Sequence, residues 1–303
     1  AYTPYQPELS QGTLQSIFEF QSMIAELFEM EVSNASLYDG STSVVEAVLM
    51  ASRIKRAQKA SILISEGVYV RTQKVLKTYL ENLDLELVFI ESNENFVIDE
   101  SCLEKAKAKA KHPVVACVLQ SPNHWGYLEN WQVMTDFCEK EKLISIAYVP
   151  EAQSLGLIDP PGHFGVDIAA GEGQSLGLPM GYGGPYLGLL CCKKKYVRQM
   201  PGRLVGATRD DRGDLAFCVT LATREQHIRR EKATSNICSN QNLMALRSAV
   251  FMSLMGPYGL KESAEQSHSM AVYAFEAISK IARGKTKIQI PETEFFNEFT
   301  IFY

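Results

Sequence analysis

The sequence predicts an α/β fold in which a mostly parallel sheet is covered by helices on both faces. Short β-rich apolar runs recur along the first half: ASILIS (60–65), ELVFIE (86–91), VVACVL (114–119) and LISIAY (143–148). Amphipathic stretches of helical length separate them, such as Val70 to Leu83 and Cys102 to Lys111. The runs are apolar almost throughout, which is the pattern of strands buried on both faces. In such sheets function collects beyond the C-terminal strand ends. The loops to watch are therefore SPNHWGYLEN after the third run and VPEAQSLG after the fourth.

The elements follow in order. The opening YTPYQPELSQG holds two prolines and predicts an extended segment, since a helix cannot run across both. Leu14, Ile17, Phe18, Met23, Ile24 and Leu27 then make a helical stripe. In SNASLYDGSTSVVEAVLMASRIKR, Gly40 supplies a turn, Ser43 and Glu46 have capping-box spacing, and Val44, Val45, Val48, Leu49 and Ala51 form a buried face. The N-terminus of such a helix offers free N–H groups and partial positive charge, a natural seat for an anion, although an ordinary capped helix reads the same way. Later, Asp167 to Ala170 and Tyr186 to Cys192 read as strands around a glycine-rich loop. PGRLVGATRDDRGDLAF reads as an exposed, turn-rich excursion, and Asn242 to Met255 as a helix closing on Gly256-Pro257. This organisation divides the chain into 1–30 (arm and first helix), 31–257 (the large α/β domain) and 258–303 (a helix leading into the start of a C-terminal α+β domain).

Composition narrows the function. A chain of 303 residues, 46% hydrophobic and 21% charged, can bury a sizeable core and predicts a soluble globular protein. The net charge of -5 and pI near 5.7 argue against a nucleic-acid surface. No apolar run approaches the ~20 residues needed to cross a bilayer. Seven cysteines without a C-x-x-C pair read as buried, reduced thiols of a cytosol-like compartment. His112 and His163 lack neighbours at ligand spacing, so no metal site is expected. With no initiator Met and an end at FFNEFTIFY, the chain is expected to be part of a longer polypeptide.

The densest set of donors is TREQHIRREKATSNICSNQNL, Thr223 to Leu243. It sets Arg224, His227, Arg229, Arg230 and Lys232 against Glu225 and Glu231, then breaks into a hydroxyl and amide run from Thr234 to Asn242. A charge run of this kind is ordinarily a solvated face. Its order, however, resembles nearly letter for letter a signature of the glycine decarboxylase P-protein of the glycine cleavage system. The opening YTPYQPE-SQG resembles the same family, where that segment lies close to the active site at the meeting of two similar halves. The resemblance implies an aspartate-aminotransferase-like large domain of the pyridoxal-phosphate (PLP) enzymes, fold type I, with the small C-terminal domain only partly present. It also makes Gly40, Ser41 and Thr42 a vestigial phosphate cup.

The segment GEGQSLGLPMGYGGP decides how chemistry is shared. In the catalytic half of the P-protein the corresponding loop carries a lysine that holds PLP as a Schiff base, and counting back from Gly181-x-Gly-Gly-Pro puts Gln174 in that slot. An amide nitrogen is delocalised into its carbonyl and is not nucleophilic. Glu151 is the candidate for the acidic partner of the pyridine nitrogen. This segment and YDGST resemble the first (α) subunit of the two-subunit P-protein.

The resemblance therefore implies a bacterial or archaeal cytoplasmic oxidoreductase component: glycine dehydrogenase (aminomethyl-transferring, decarboxylating), inactive alone. PLP is expected on a β subunit. Together the two would decarboxylate glycine and pass the aminomethyl group to the lipoyl arm of H-protein, releasing CO2. Active-site or interface candidates on this chain are Tyr2, Tyr5, Gln6, Ser10, Gln11, His124, Arg224, His227, Arg229, Arg230, Thr234, Ser235 and Asn236. For each arginine an ion pair with Glu225 or Glu231 is at least an equal reading, and His124 reads first as an ordinary exposed loop histidine and second as a pocket-lining or interface residue. Two other readings stay open: a self-contained PLP enzyme using another lysine, Lys232 foremost, and a scaffold or regulator that kept the fold and lost the chemistry.

Overall fold

The computed structural model describes residues 6–221, 226–282 and 289–302. Its centre is a seven-stranded sheet built from β1 (Val32–Ser33), β2 (Ala60–Ser65), β3 (Leu85–Ile90), β4 (Val114–Gln120), β5 (Ile144–Val149), β6 (Ile168–Glu172) and β7 (Gly188–Cys192), in the order β1-β7-β6-β5-β4-β2-β3. From β3 to β6 neighbouring strands are parallel, whereas β7 is antiparallel to β6 and to β1. Parallel neighbours need a crossover, and the helices α3 (Val70–Leu80), α4 (Glu100–Ala108) and α5 (Trp131–Glu141) supply three of them. The connection from Gly173 to Leu187 contains no helix, so β7 returns antiparallel.

The continuous apolar runs are explained by burial on both sides. Residues alternate along each strand between two cores. Leu63, Cys117, Leu119, Ala147, Ala169 and Leu189 face a core that includes Trp131, Phe137 and Phe20. Ile62, Ile64, Val118, Ile146, Ile168 and Leu190 face another core filled by Val44, Val45, Val48 and Met50 of α2 (Gly40–Lys55). All seven cysteines are free thiols; five are buried, but Cys238 is exposed, which corrects the expectation that all are internal.

Several local expectations change. α2 is capped by Asp39, whose carboxylate accepts from Thr42 N at 2.8 Å, rather than by the Ser43/Glu46 box. Asp39 stands at the true first turn, while Ser43 and Glu46 lie deeper in the helix and are buried. Pro7–Leu9 coil into one 3-10 turn before α1 (Gln11–Leu27) instead of staying extended. The excursion after Pro201 is a hairpin of β8 (Leu204–Arg209) and β9 (Leu215–Thr220) turning through Gly213 at φ +86°. It is laid on α1 through Leu14, Ile17, Val205 and Phe217. Two glutamines of α1 hold it there. Gln11 exchanges bonds with the backbone of Phe217, and Gln21 with that of Val205.

A short helix, α6 (Gln226–Arg229), precedes α7 (Asn242–Ala282). The helical path breaks at Gly256 (φ 61°, ψ -179°), where the Gly-Pro pair predicts a stop, yet helix resumes at once. Proline is compatible with a first helical turn because the N–H it lacks would go unused there. α7 is long and apolar enough by composition to cross a membrane. Its break, and its packing along α1 and the 3-10 turn Ala152–Gly156, are those of a helix lying on a folded domain.

Candidate functional site

The chain after β2, β4, β5 and β6 opens a cleft of about 750 Å³ beyond the C-terminal ends of these strands. Tyr69, Val70 and Arg71 come from the first connection, Pro122 and His124 from the second, Pro150 and Glu151 from the third, and Glu172, Gln174, Ser175, Leu178 and Met180 from the fourth. Asn297 and Glu298 reach it from the far end of the chain. That last segment is fastened over the His124 loop by Leu128 N donating to Glu294 O, by Thr300 Oγ1 donating to Trp125 O, and by Phe302 stacking on Phe96 at 4.8 Å.

The His124 loop has a polar foundation. Asn123 Oδ1 accepts from Trp125 N and Tyr127 N, while its Nδ2 donates to Phe96 O and to Glu129 Oε1. Burial is the main reason the Glu129 carboxyl is pushed up to about 7. His124 stands edge-on to Tyr69 at 6.1 Å, and the Arg71 guanidinium lies 5.4 Å from the centre of the Tyr69 ring. Burial first, then the Glu298 carboxylate, pushes the Tyr69 hydroxyl up to about 12, so it remains a proton donor across the physiological range. Glu151 caps the 3-10 turn that follows it through Gln153 N.

Gln174 lies in this cleft, and its side chain reaches toward Pro179 O at 3.5 Å. Beneath it, Glu172 joins the cleft to the start of α2. Its Oε2 accepts from Gly40 N at 2.9 Å, and its Oε1 from Gln174 N and Leu187 N at 3.1 Å each. Of the other residues expected to form a phosphate cup, Ser41 Oγ is hydrogen-bonded to Thr72 Oγ1 and Thr42 N is held by Asp39. No lysine lines the cleft among the described residues. A lysine-anchored PLP does not fit this residue set.

The signature segment goes elsewhere. Its hydroxyl and amide run is docked on the body of the chain: Ser235 lies beside the buried Glu46 carboxyl, and Cys238 N donates to the Tyr38 hydroxyl. Asn240 Nδ2 donates to Ala35 O, and Gln241 N to Ser36 Oγ. Thr234 is half-buried, whereas Asn236, Arg229, Arg230 and Lys232 are exposed. None of these residues lines the cleft, nor do Gln6, Ser10 or Gln11. Tyr2, Tyr5 and Arg224 lie outside the described residues, as does the side chain of His227.

Sequence reasoning thus brought His124, Glu151 and Gln174 to one place and missed Tyr69, Arg71, Glu172, Asn297 and Glu298. The strand-end rule that flagged two loops applies equally to the loop after ASILIS, which would have found Tyr69 and Arg71. No local pattern marks Asn297 or Glu298, because a long-range contact brings them in.

The family model described as "Glycine cleavage system P-protein" matches residues 1–302. A "probable glycine dehydrogenase (decarboxylating) subunit 1" of Koribacter versatilis is 46% identical over 302 residues, covering 99% of this chain and 66% of its own length. One of the same description from Moorella thermoacetica is also 46% identical, with the same coverage. A crystal structure of glycine decarboxylase (P-protein) of the glycine cleavage system, in inhibitor-bound form, superposes with a TM-score of 0.85 at 41% identity, over 99% of this chain and 66% of that one. Mouse CSAD shares the fold at a TM-score of 0.70 and 16% identity, over 97% of this chain and 61% of that one. The chain thus spans about two thirds of the length of the relatives it matches.

Proposed function

The chain belongs to the glycine cleavage system P-protein family, and from that premise we propose that it is the subunit of glycine decarboxylase that does not carry the cofactor. The family has the fold of PLP-dependent enzymes, and a second subunit brings PLP together with its lysine. The pair decarboxylates glycine, releases CO2 and hands the aminomethyl group to the lipoyl arm of H-protein. This chain contributes cleft walls and donors at the junction with the partner. Residues 1–30 act as the arm, 31–257 as the large domain and 258–303 as the link to a C-terminal part. The complex works in the bacterial cytoplasm, where free cysteines such as Cys238 stay reduced.

The observation that carries this reading is Gln174, an amide in a cleft with no lysine among its described lining residues. When bound, PLP withdraws electrons from the glycine Cα, and a side chain that cannot form an imine cannot anchor it covalently. The exposed Met180 and Tyr182 beside Gln174 offer the partner an apolar rim. Arg229, Arg230 and Asn236, exposed beside a docked run, are interface donors.

The test mixes the purified chain with its partner subunit and lipoylated H-protein and measures glycine–bicarbonate exchange. Exchange is expected only in the mixture. Borohydride reduction in the presence of PLP should label the partner alone. A label on any lysine of this chain, Lys232 included, overturns the assignment, and a partner equally active without it identifies a scaffold. Replacing Arg230 or Asn236 by Ala should lower association on a sizing column.

A further inference from the structure

Backbone N–H groups from the start of α2 and from both ends of the loop after β6 converge on one side chain. Gly40 opens α2, Gln174 begins the loop after β6, and Leu187 ends that loop before β7; all three donate to Glu172. Glu172 is only 8% exposed. It presses so close that a Cβ on Gly40 would stand 2.9 Å from the Glu172 Cβ, so Gly40 is required for the approach.

A helix N-terminus with converging N–H donors is a seat for an anion. Here Glu172 comes to it from the end of the neighbouring strand β6, and Asp39 caps the same helix end. Fully ionised, the two carboxylates bring two negative charges, close to the roughly -1.5 to -2 carried by a phosphate monoester. We propose that the Glu172 carboxylate is a built-in substitute for a bound oxyanion, closing this end of the cleft to phosphate-bearing ligands and tying α2, the Gln174 loop and β7 together without one.

The physical alternative is a carboxylate that merely tolerates its place. Burial, and after it the neighbouring Asp39 carboxylate, oppose its ionisation, and the three N–H bonds offset part of that effect. A group with no role at such a helix end would be replaceable by solvent, whereas 8% exposure leaves little room for water to take over the three donors. The donors are then unpaired whenever the carboxylate is removed. An added oxyanion of similar charge should satisfy them.

The experiment is anion rescue of Glu172→Ala, read by thermal unfolding in inorganic phosphate against sodium chloride at matched ionic strength. The variant should unfold at a lower temperature than the wild type and regain stability saturably with phosphate. At ~10 times the dissociation constant the folded-to-unfolded ratio rises about elevenfold. The wild type and Glu172→Gln, whose side chains still fill the seat, should not respond. Absence of a phosphate response in Glu172→Ala, or an equal one in the wild type, overturns the proposal. If Glu172→Ala is recovered unfolded, refolding yield in phosphate against chloride gives the same reading. The test needs no cofactor or partner, so its failure leaves the assignment of the PLP-bearing subunit standing.

Discussion

The cleft and the signature segment invite comparison because their sequence prominence and their placement are inverted. TREQHIRREKATSN is the most recognisable stretch of the chain, yet the polar run it leads into is anchored on the body of the chain through Cys238 and Asn240, and its described cations face outward. The cleft is assembled from unremarkable strand-end loops, with Tyr69, His124, Glu151 and Gln174 arriving from four connections. Fastening a segment can be as exacting as touching a ligand.

The largest effect expected on the cleft side is a pH dependence of stability. Burial raises the Glu129 carboxyl to about 7 from an ordinary 4.5, so the folded chain holds this proton more tightly than the unfolded one. That stability is fully present below about pH 4.5 and is lost as pH rises toward 7, a change on the order of 3 kcal/mol. Denaturant titrations between pH 4.5 and 8 should show the decline, and Glu129→Gln should flatten it. An unchanged slope in the variant would place the titration elsewhere.

On the signature side, Asn240→Ala strips a donor from the buried Ala35 carbonyl and should destabilise the chain by about 1–3 kcal/mol in urea unfolding. No loss of stability would dissolve the contrast, since the run would then be a free surface. Gln11→Ala breaks the clamp on Phe217 and should cost about 1 kcal/mol, with faster amide exchange confined to the β8–β9 hairpin. The smallest stability effect belongs to His124→Ala, which removes an exposed side chain and should leave unfolding within about 0.5 kcal/mol. Its effect should fall on glycine–bicarbonate exchange in the assembled complex. Unimpaired exchange would remove His124 from the working surface.

Much of the fold was legible because burial on two faces leaves a plain mark. ASILIS is β2 residue for residue, and the other apolar runs locate β3, β4 and β5 within one residue. Elements that depend on tertiary contacts were harder. The hairpin at 204–220 read as a loop because glycines and charges dominate it, while its stability comes from the backbone bonds of Gln11 and Gln21. The cap of α2 was misread for a similar reason: Ser43 and Glu46 have the right spacing, but Asp39 lies nearer the turn. In the cleft, Gln174 was found by counting from a glycine-rich loop. Glu172, two residues before it, gave no sign of its bonds to Gly40 and Leu187, which depend on how the sheet brings distant segments together.

Gly126 shows how widely the cleft is controlled. With φ +92°, it lies so near the closing segment that a Cβ there would stand 2.3 Å from Glu298 O. A single methyl at this position would prise the segment around Glu298 away from Trp125 and Tyr127, withdrawing Asn297 and Glu298 from the rim while leaving the side chains of the four strand-end connections in place. Access to the cavity is thus latched by a hydrogen atom on the outside of its wall.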